Sequence, residues 1–330
     1  MFSIMLILVI ALALIFDLIN GFHETANAIA TSVSTRVLSP RQAIIMAAGL
    51  NFLGALFNAK VATTVASGFV NGSLEQYVIV AALLAGIIWD LLTWYYGIPS
   101  SSSHALIGGL VGASIVYASS IDKIIWKNVL DKVVIPLFTS PLIGFIFGFF
   151  IMTLLFVVLR PFSQRFVNKW FSKLQILSAA TMAYTHGSND AQKSMGIITL
   201  ALVSAGVVSQ DSGIPLWVKI ACAVAMAIGT SIGGWRIIKT VGMNMIRLQP
   251  IGGFAAETGS ALIIFIMTHF GAPVSTTHII SSSIMGVGAS KRFSAVRWSV
   301  AKSIVMAWVV TIPATMILGA GITYLIQLFI

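Results

Sequence analysis

The chain has 330 residues, of which 58% are hydrophobic and only 8% charged, with a mean hydropathy of +0.99. A soluble domain carries about 25% charged residues, so a water-soluble fold is excluded, as are disorder, collagen-like repeats and disulfide scaffolds, and a polytopic membrane protein solvated by lipid remains. The net charge of +10 comes from 19 Lys and Arg against 9 Asp and Glu; with no polar domain to carry a nucleic-acid surface, the excess reads as topology and no nucleic-acid partner is expected. The lone cysteine, Cys222, lies in an apolar run. The pattern predicts an all-α fold of about ten membrane segments at roughly 3–33, 41–66, 76–97, 99–118, 133–158, 175–203, 216–235, 254–270, 272–289 and 299–328. The apolar start, Met1 to Phe16, has no basic residue ahead of it and reads as a retained first helix, not a signal peptide.

Basic residues alternate between the loops. Arg36, Arg41, Arg160, Arg165, Lys169, Lys173, Arg236, Lys239, Arg247, Lys291, Arg292 and Arg297 fall on one side if all ten segments cross. The opposite side receives loops 67–75, 119–132 and 204–215, where Lys123, Lys127 and Lys132 are offset by Glu75, Asp122, Asp131 and Asp211. The positive-inside rule then places both termini outside the cytoplasm.

Two pairs of motifs recur. Gly21-Phe-His23-Glu24-Thr-Ala-Asn27 and Pro99-Ser-Ser-Ser-Ser-His104 are followed by Gly187-Ser-Asn189-Asp190-Ala-Gln-Lys193 and Pro273-Val-Ser-Thr-Thr-His278. Asp90 follows Glu24 by 66 residues and Glu257 follows Asp190 by 67. Small residues recur after each Pro-to-His stretch, at Gly108 and Gly112 and at Ser282 and Gly286, a spacing that lets helix backbones approach closely. Five segments per half make the second copy inverted, so the chain divides into a first inverted repeat (1–158), a cytoplasmic basic linker (159–174) and a second inverted repeat (175–330). Inverted repeats with broken or re-entrant helices at a midplane site are a secondary-transporter architecture.

Asp17, Glu24, Asp90, Asp190 and Glu257 lie within apolar segments, as do Lys60 and Lys193. A charge at the bilayer centre costs about 2.5–3.5 kcal/mol on insertion scales and marks function by default. Asp17 and Lys60 lie near segment ends or lack a repeat partner, which favours a structural or snorkelling role. Ser101, Ser102, Ser103 and Ser275, Thr276, Thr277 each follow a proline, and a helix N-terminus with hydroxyls beside it is a donor cradle for an anion. Carboxylates repel an oxyanion unless a cation or proton intervenes, so Glu24 and Asp190 are candidates for coupling. Asn27 and Asn189 suit either Na⁺ or substrate, and Lys193, at the position matching Asn27, is a built-in cation for Asp190 or substrate. His23, His104 and His278 titrate in the physiological range and fit proton coupling, whereas His186 and His269 read as helix–helix hydrogen bonds. No nucleophile motif is present, and His23-Glu24 lacks a following His at zinc-protease spacing, so an enzyme is not expected and no cofactor is implied.

Those four motifs, in order along essentially the whole chain, resemble the inorganic phosphate transporter (PiT) family, whose duplicated Gly-x-Asn-Asp-x-x-Asn signature matches residues 21–27 and 187–193. Its Pro-x-Ser-Thr-Thr-His element matches Pro273 to His278 fully and Pro99 to His104 with serines for threonines. The resemblance implies uptake of inorganic phosphate, a two-repeat helical fold and often a homodimer, with Na⁺ or H⁺ as the coupling ion. His23, Glu24 and Lys193 replace the usual Asn, Asp and Asn, and the His and Lys changes look like the bacterial low-affinity branch, which is proton-coupled and accepts metal–phosphate complexes. Some members carry sulfate. Near neutral pH phosphate can donate a proton to Glu24 or Asp190 and sulfate cannot, which favours phosphate. The expectation is a proton-coupled phosphate importer of the cytoplasmic membrane, with Asp90 and Glu257 tuning the site; Na⁺ held by Glu24, Asn27, Asn189 and Asp190 is the alternative.

Overall fold

In lipid an apolar run of this length must satisfy its backbone within its own segment, which a helix does. The computed structural model describes residues 3–57, 59–67, 69–70, 74–209 and 211–329, so parts of the loops 67–75 and 204–215 lie outside the described residues. The helices in chain order are α1 (Ile4–Ser34), α2 (Pro40–Phe57), α3 (Lys60–Ser67), α4 (Gln76–Tyr96), α5 (Ser102–Ala118), α6 (Trp126–Val129), α7 (Ile135–Val158), α8 (Gln164–Ser204), α9 (Leu216–Ile232), α10 (Trp235–Lys239), α11 (Pro250–His269), α12 (Thr276–Lys291) and α13 (Trp298–Gln327). A π-helical turn, Leu130–Val134, joins α6 to α7, and a second, Thr240–Asn244, extends α10.

With α6 and α7 counted as one rod, the described residues form twelve helices where ten segments were expected. The difference lies in two breaks, one within the segment 41–66, where α3 turns from α2 by 69°, and one at the end of the segment 216–235, where α10 turns from α9 by 61° and runs on past residue 235. Gly233, at φ +77, stops α9 in a conformation that a side chain would resist. By length and composition five of the described helices can cross a membrane, or seven if each bent pair is one span. The short helices α5 and α12, with 17 and 16 residues, fall below the ~20 needed to span. The basic stretch 159–174 is mostly helical, because α8 begins at Gln164, where the Ser163 hydroxyl caps it by accepting from Phe166 N–H at 3.3 Å.

The order of elements repeats: a long helix, a broken pair, a full helix, a short helix and a long helix. α4 and α11 even stop in the same way. Gly97 and Gly271 adopt left-handed backbone at φ +67 and +71, while Ile98 N–H donates to Thr93 O and Ala272 N–H to Met267 O, each at 2.9 Å. This six-to-one bond closes a Schellman motif, and the proline two residues after each glycine prevents the helix from resuming.

The halves interleave. α5 packs along α13 and α12 along α7, so each short helix lies against the long helix of the other half. A Cβ on Gly112 would sit 2.0 Å from Met316 O, and one on Gly286 2.0 Å from Phe145 O, so these backbones touch and only glycine fits. The outer face of α7 presents Phe138, Leu142, Ile146, Phe150 and Leu154, four residues apart and exposed, an apolar stripe unsuited to water.

Two apolar clusters fill the interior. α1 contributes Leu6 to Phe22 to one and Ala26 to Val33 to the other; α8 contributes Val167 to Ala183 to the second and Ala191 to Leu202 to the first. Both helices change cluster at their polar motifs. The layer between the clusters is therefore polar, and it contains Glu24 and Asp190.

Candidate functional site

Glu24 is at the middle of α1 and Asp190 lies well inside α8, both fully buried. The glycine that opens each motif explains the placement. A Cβ on Gly21 would lie 2.5 Å from Met226 O of α9, and one on Gly187 would lie 2.3 Å from Asn51 O of α2. Each motif thus presses against the broken pair of the opposite half, which sets the depth of the acid three residues on.

Both carboxylates face the starts of the short helices. Glu24 Oε1 accepts from Ser102 N–H at 3.0 Å, the first residue of α5, where free amides and the helix dipole favour an anion. Thr276, the equivalent residue of α12, places Oγ1 2.7 Å from Glu24 Oε2 and 2.9 Å from Asp190 Oδ2. The Asn27 amide donates to Glu24 Oε2 at 3.0 Å, to Thr276 Oγ1 at 3.1 Å and to Thr277 Oγ1 at 2.9 Å. Thr276 has one hydroxyl proton for two carboxylates. If both contacts are hydrogen bonds, one carboxyl group is itself the donor.

Ser101 and Ser275 have a capping role. Their hydroxyls accept from His104 N–H at 3.3 Å and His278 N–H at 3.2 Å, closing the first turns of α5 and α12. The Ser103 hydroxyl donates to Val274 O at 3.3 Å, tying the start of α5 to the chain entering α12. His104 and His278 meet edge to face at 5.0 Å between ring centroids, and His278 stacks on Trp308 at 4.1 Å. Ser102 Oγ, His104 Nδ1 and both nitrogens of His278 are buried with no hydrogen-bond partner.

Asp190 is held by charge. Lys193, one turn along α8, donates to Asp190 Oδ1. His186, one turn earlier, places Nε2 2.9 Å from Asp190 Oδ2 and 3.8 Å from Glu24 Oε2. A chain of partners fixes its tautomer: Thr230 O–H donates to Met226 O, Asn51 N–H donates to Thr230 Oγ1, and Asn51 Oδ1, 3.1 Å away, accepts from His186 Nδ1–H. Nε2 thus faces the two carboxylates. Two carboxylates, one ammonium and one imidazole sum to zero charge only with one titratable proton on the imidazole or a carboxyl, and a buried cluster far from neutrality is costly. Sequence reasoning gave His186 only a structural role, although its spacing of four residues from Asp190 placed it on the same helix face. Glu24, His186 and Asp190 offer ligand atoms within 4.8 Å of one another and could hold a cation.

The remaining polar residues divide. Asn189 N–H donates to Thr268 Oγ1 at 2.8 Å and Ala272 O at 3.3 Å, toward the end of α11. The amide oxygens of both Asn27 and Asn189 are buried without a hydrogen-bond partner. His23 Nε2 lies 2.9 Å from Thr93 Oγ1, which in turn lies 2.9 Å from Ser100 Oγ, so His23 holds the end of α4. Glu257 stands apart from the central pair: Thr31, Ser178 and Gln175 all donate to it. Asp90 is buried with neither oxygen hydrogen-bonded, and so is Asp17, which lies beside Ser194 and Cys222. Lys60 donates to His269 O at 3.0 Å, near the C-terminus of α11 where a cation is favoured.

Comparison with known proteins gives concordant results. A sequence profile described as the phosphate transporter family matches residues 20–319. The chain is 50% identical over 323 residues, 96% of each chain, to a probable low-affinity inorganic phosphate transporter of Bacillus subtilis. It is 47% identical to a protein of the same description from Rhizobium meliloti, covering 96% of this chain and 95% of that one. A putative phosphate permease of Thermococcus kodakarensis is 26% identical over 91% of this chain and 92% of its own. A solved structure described as the sodium-dependent phosphate transporter superposes with a TM-score of 0.86 over 99% of this chain and 100% of that one; at 24% identity the likeness is one of fold.

Proposed function

Because the chain belongs to the phosphate transporter family, we propose that it imports inorganic phosphate across a bacterial cytoplasmic membrane in symport with protons. It is a transporter rather than an enzyme, a multi-pass helical membrane protein, and its relatives carry the same description. The finer reading places both termini outside the cytoplasm and makes the two halves inverted repeats; the repeated order of elements supports it, and the alternation of basic loops agrees with it when α5 and α12 each count as a crossing.

The observation that carries proton coupling is the buried cluster of Glu24, Asp190, His186 and Lys193, which needs one titratable proton to be neutral. The carboxylates now use the donors that an oxyanion would need: Glu24 takes the N–H at the start of α5, and both acids meet Thr276 at the start of α12. Protonating an acid weakens its hold on those donors and removes its repulsion of an anion. Ser102 Oγ, Ser103, Thr277 and the amides of α5 and α12 are then available to phosphate, with Asn27, Asn189 and Lys193 completing the site. Proton and phosphate therefore enter together, and relative motion of the halves exposes the loaded site to the other side. Asp90 and Glu257 tune the charge around it.

Na⁺ coupling is favoured by a different observation: the unpartnered amide oxygens of Asn27 and Asn189 beside two carboxylates are hard neutral ligands. Cargo travelling as a metal–phosphate complex would use the Glu24–His186–Asp190 donors, with Lys193 drawn away from Asp190. Radiolabelled phosphate uptake into proteoliposomes, under separately imposed H⁺ and Na⁺ gradients, with and without Mg²⁺ and with sulfate as competitor, tests all of these. Uptake driven by H⁺ alone and insensitive to sulfate is expected. Uptake driven only by Na⁺ would remove the coupling claim, and strong sulfate competition would remove the cargo claim.

A further inference from the structure

We propose that the first four turns of α8, with the residues just before it, form a binding face for the headgroups of anionic phospholipid. α8 has 41 residues, about 60 Å at the usual helical rise, against a hydrocarbon core of about 30 Å. α8 is not among the helices apolar enough to count as spans by composition, because its buried polar motif dilutes it; Asp190 sits 26 residues from its start, so with the proposed site near the midplane the hydrocarbon ends within about ten residues on that side, near Ala180. The preceding part of α8 therefore lies in the headgroup region and beyond.

That segment carries three different faces. Val167, Phe171, Gln175 and Ser178 are buried, and Phe171 packs edge to face on Phe254 of α11 at 5.2 Å. Beside them an apolar ridge faces outward: Phe162, Phe166, Trp170, Leu174 and Leu177 are 48%, 43%, 49%, 36% and 64% exposed. Its aromatic rings are arranged in a row, Phe162 stacked on Phe166 at 5.1 Å and Phe166 tilted against Trp170 at 6.2 Å. Arg165, Lys169 and Lys173, four residues apart, form the third face along the flank of that ridge. The Lys173 ammonium lies over the Trp170 ring at 5.6 Å from its centroid. No acidic residue occurs between Arg160 and Asn189. Among the described residues Arg160, Arg165, Lys169 and Lys173 form no ion pair.

Neither water nor hydrocarbon suits this surface. In water the aromatic ridge is uncovered; in hydrocarbon three cations are stranded. The interface satisfies both, because Trp and Phe seat at the acyl boundary while Arg and Lys reach the phosphates. The ladder lacks any protein anion to neutralise it, and an anionic lipid supplies one together with the acyl chains that cover the ridge. The leaflet is the cytoplasmic one if the proposed orientation holds, and the depth of the lipid site rests on the proposed midplane position of Asp190.

The test is native mass spectrometry of the purified full-length protein titrated with phosphatidylglycerol or phosphatidylcholine, comparing wild type with the triple variant R165Q/K169Q/K173Q. Wild type is expected to bind phosphatidylglycerol at least tenfold more tightly than phosphatidylcholine. The triple variant is expected to lose at least tenfold in phosphatidylglycerol affinity, in keeping with roughly fivefold per lost cation, with phosphatidylcholine unchanged. Trp170→Ala should weaken both lipids. Equal phosphatidylglycerol affinity in wild type and triple variant would overturn the proposal. So would displacement of the lipid by millimolar inorganic phosphate, which would assign the cations to the free anion, or loss of a dimer in the triple variant, which would assign the face to a second copy. A variant that unfolds is recognised by its thermal melt and replaced by the single substitutions. Lipid binding is read without transport, so a Na⁺-driven carrier would leave this result standing.

Discussion

The two halves share an order of helices but stabilise their buried acids by different means. In the first half Glu24 is held by neutral donors, the Ser102 amide and Asn27, and Asp90 has no hydrogen bond at all. In the second half Asp190 is held by an ammonium and an imidazole, and Glu257 accepts from three side chains. Fixed positive charge is thus confined to one half, at the residue where the other has Asn27. The order of elements recurs in the two halves, whereas the charge beside the acids differs between them. Both basic side chains of the cluster lie on α8, Lys193 against Asp190 and His186 within 3.8 Å of both acids.

The substitution expected to break this asymmetry most severely is Asp190→Asn, which leaves the buried Lys193 ammonium unpaired at a cost of about 3–5 kcal/mol and should reduce concentrative phosphate uptake at least tenfold. The double variant D190N/K193M removes the stranded charge. It should recover thermal stability without recovering uptake, and recovered uptake would take Asp190 out of the site. His186→Gln comes next. It keeps a polar side chain beside Asn51 but cannot titrate, so uptake should fall several-fold and its pH dependence should flatten; an unaltered pH profile would count against the imidazole as proton carrier. Lys193→Asn makes the second half match the first. Its expected signature is loss of most H⁺-driven uptake with a gain of Na⁺ stimulation, measured in the same proteoliposomes. Glu257→Gln should lower stability by about 1–3 kcal/mol in a thermal melt, because three donors lose their acceptor charge, while Asp90→Asn, which removes a buried charge and keeps an acceptor beside Ser102, should leave the melt unchanged or raise it. The smallest effect belongs to Ser275→Ala, about 1 kcal/mol for a lost helix cap.

Much of this could be read from the sequence, and the reasons differ from residue to residue. The positions of the membrane segments follow from hydropathy, and the acids stand out because charge is so scarce. The Asp190–Lys193 contact follows from a spacing of three on a helix. What escaped has tertiary causes. The segment 41–66 is apolar enough to read as one span, so hydropathy alone does not reveal that it is bent into two helices, and α10 lies almost wholly beyond the segment 216–235, in a stretch where Arg236 and Lys239 read as loop. His186 looked like an ordinary helix histidine because its role depends on Asn51, 135 residues away in the chain. Asp90 and Glu257 follow their motif acids at nearly equal spacing, yet Glu257 accepts from Thr31, Ser178 and Gln175 of two other helices, whereas Asp90 has Ser102 beside it and no hydrogen bond to either oxygen.

The exchange of short helices between the halves has a consequence for biogenesis. α5 ends at Ala118 and its partner α13 begins at Trp298, 180 residues later. At about 5–20 residues per second, the ribosome makes α5 wait roughly ten to forty seconds for the surface that it fits. During that interval its glycine-lined side has only lipid or the insertion machinery against it. This seam therefore closes only when α13 is synthesised, and a chain truncated anywhere before α13 leaves it open for membrane proteases to find.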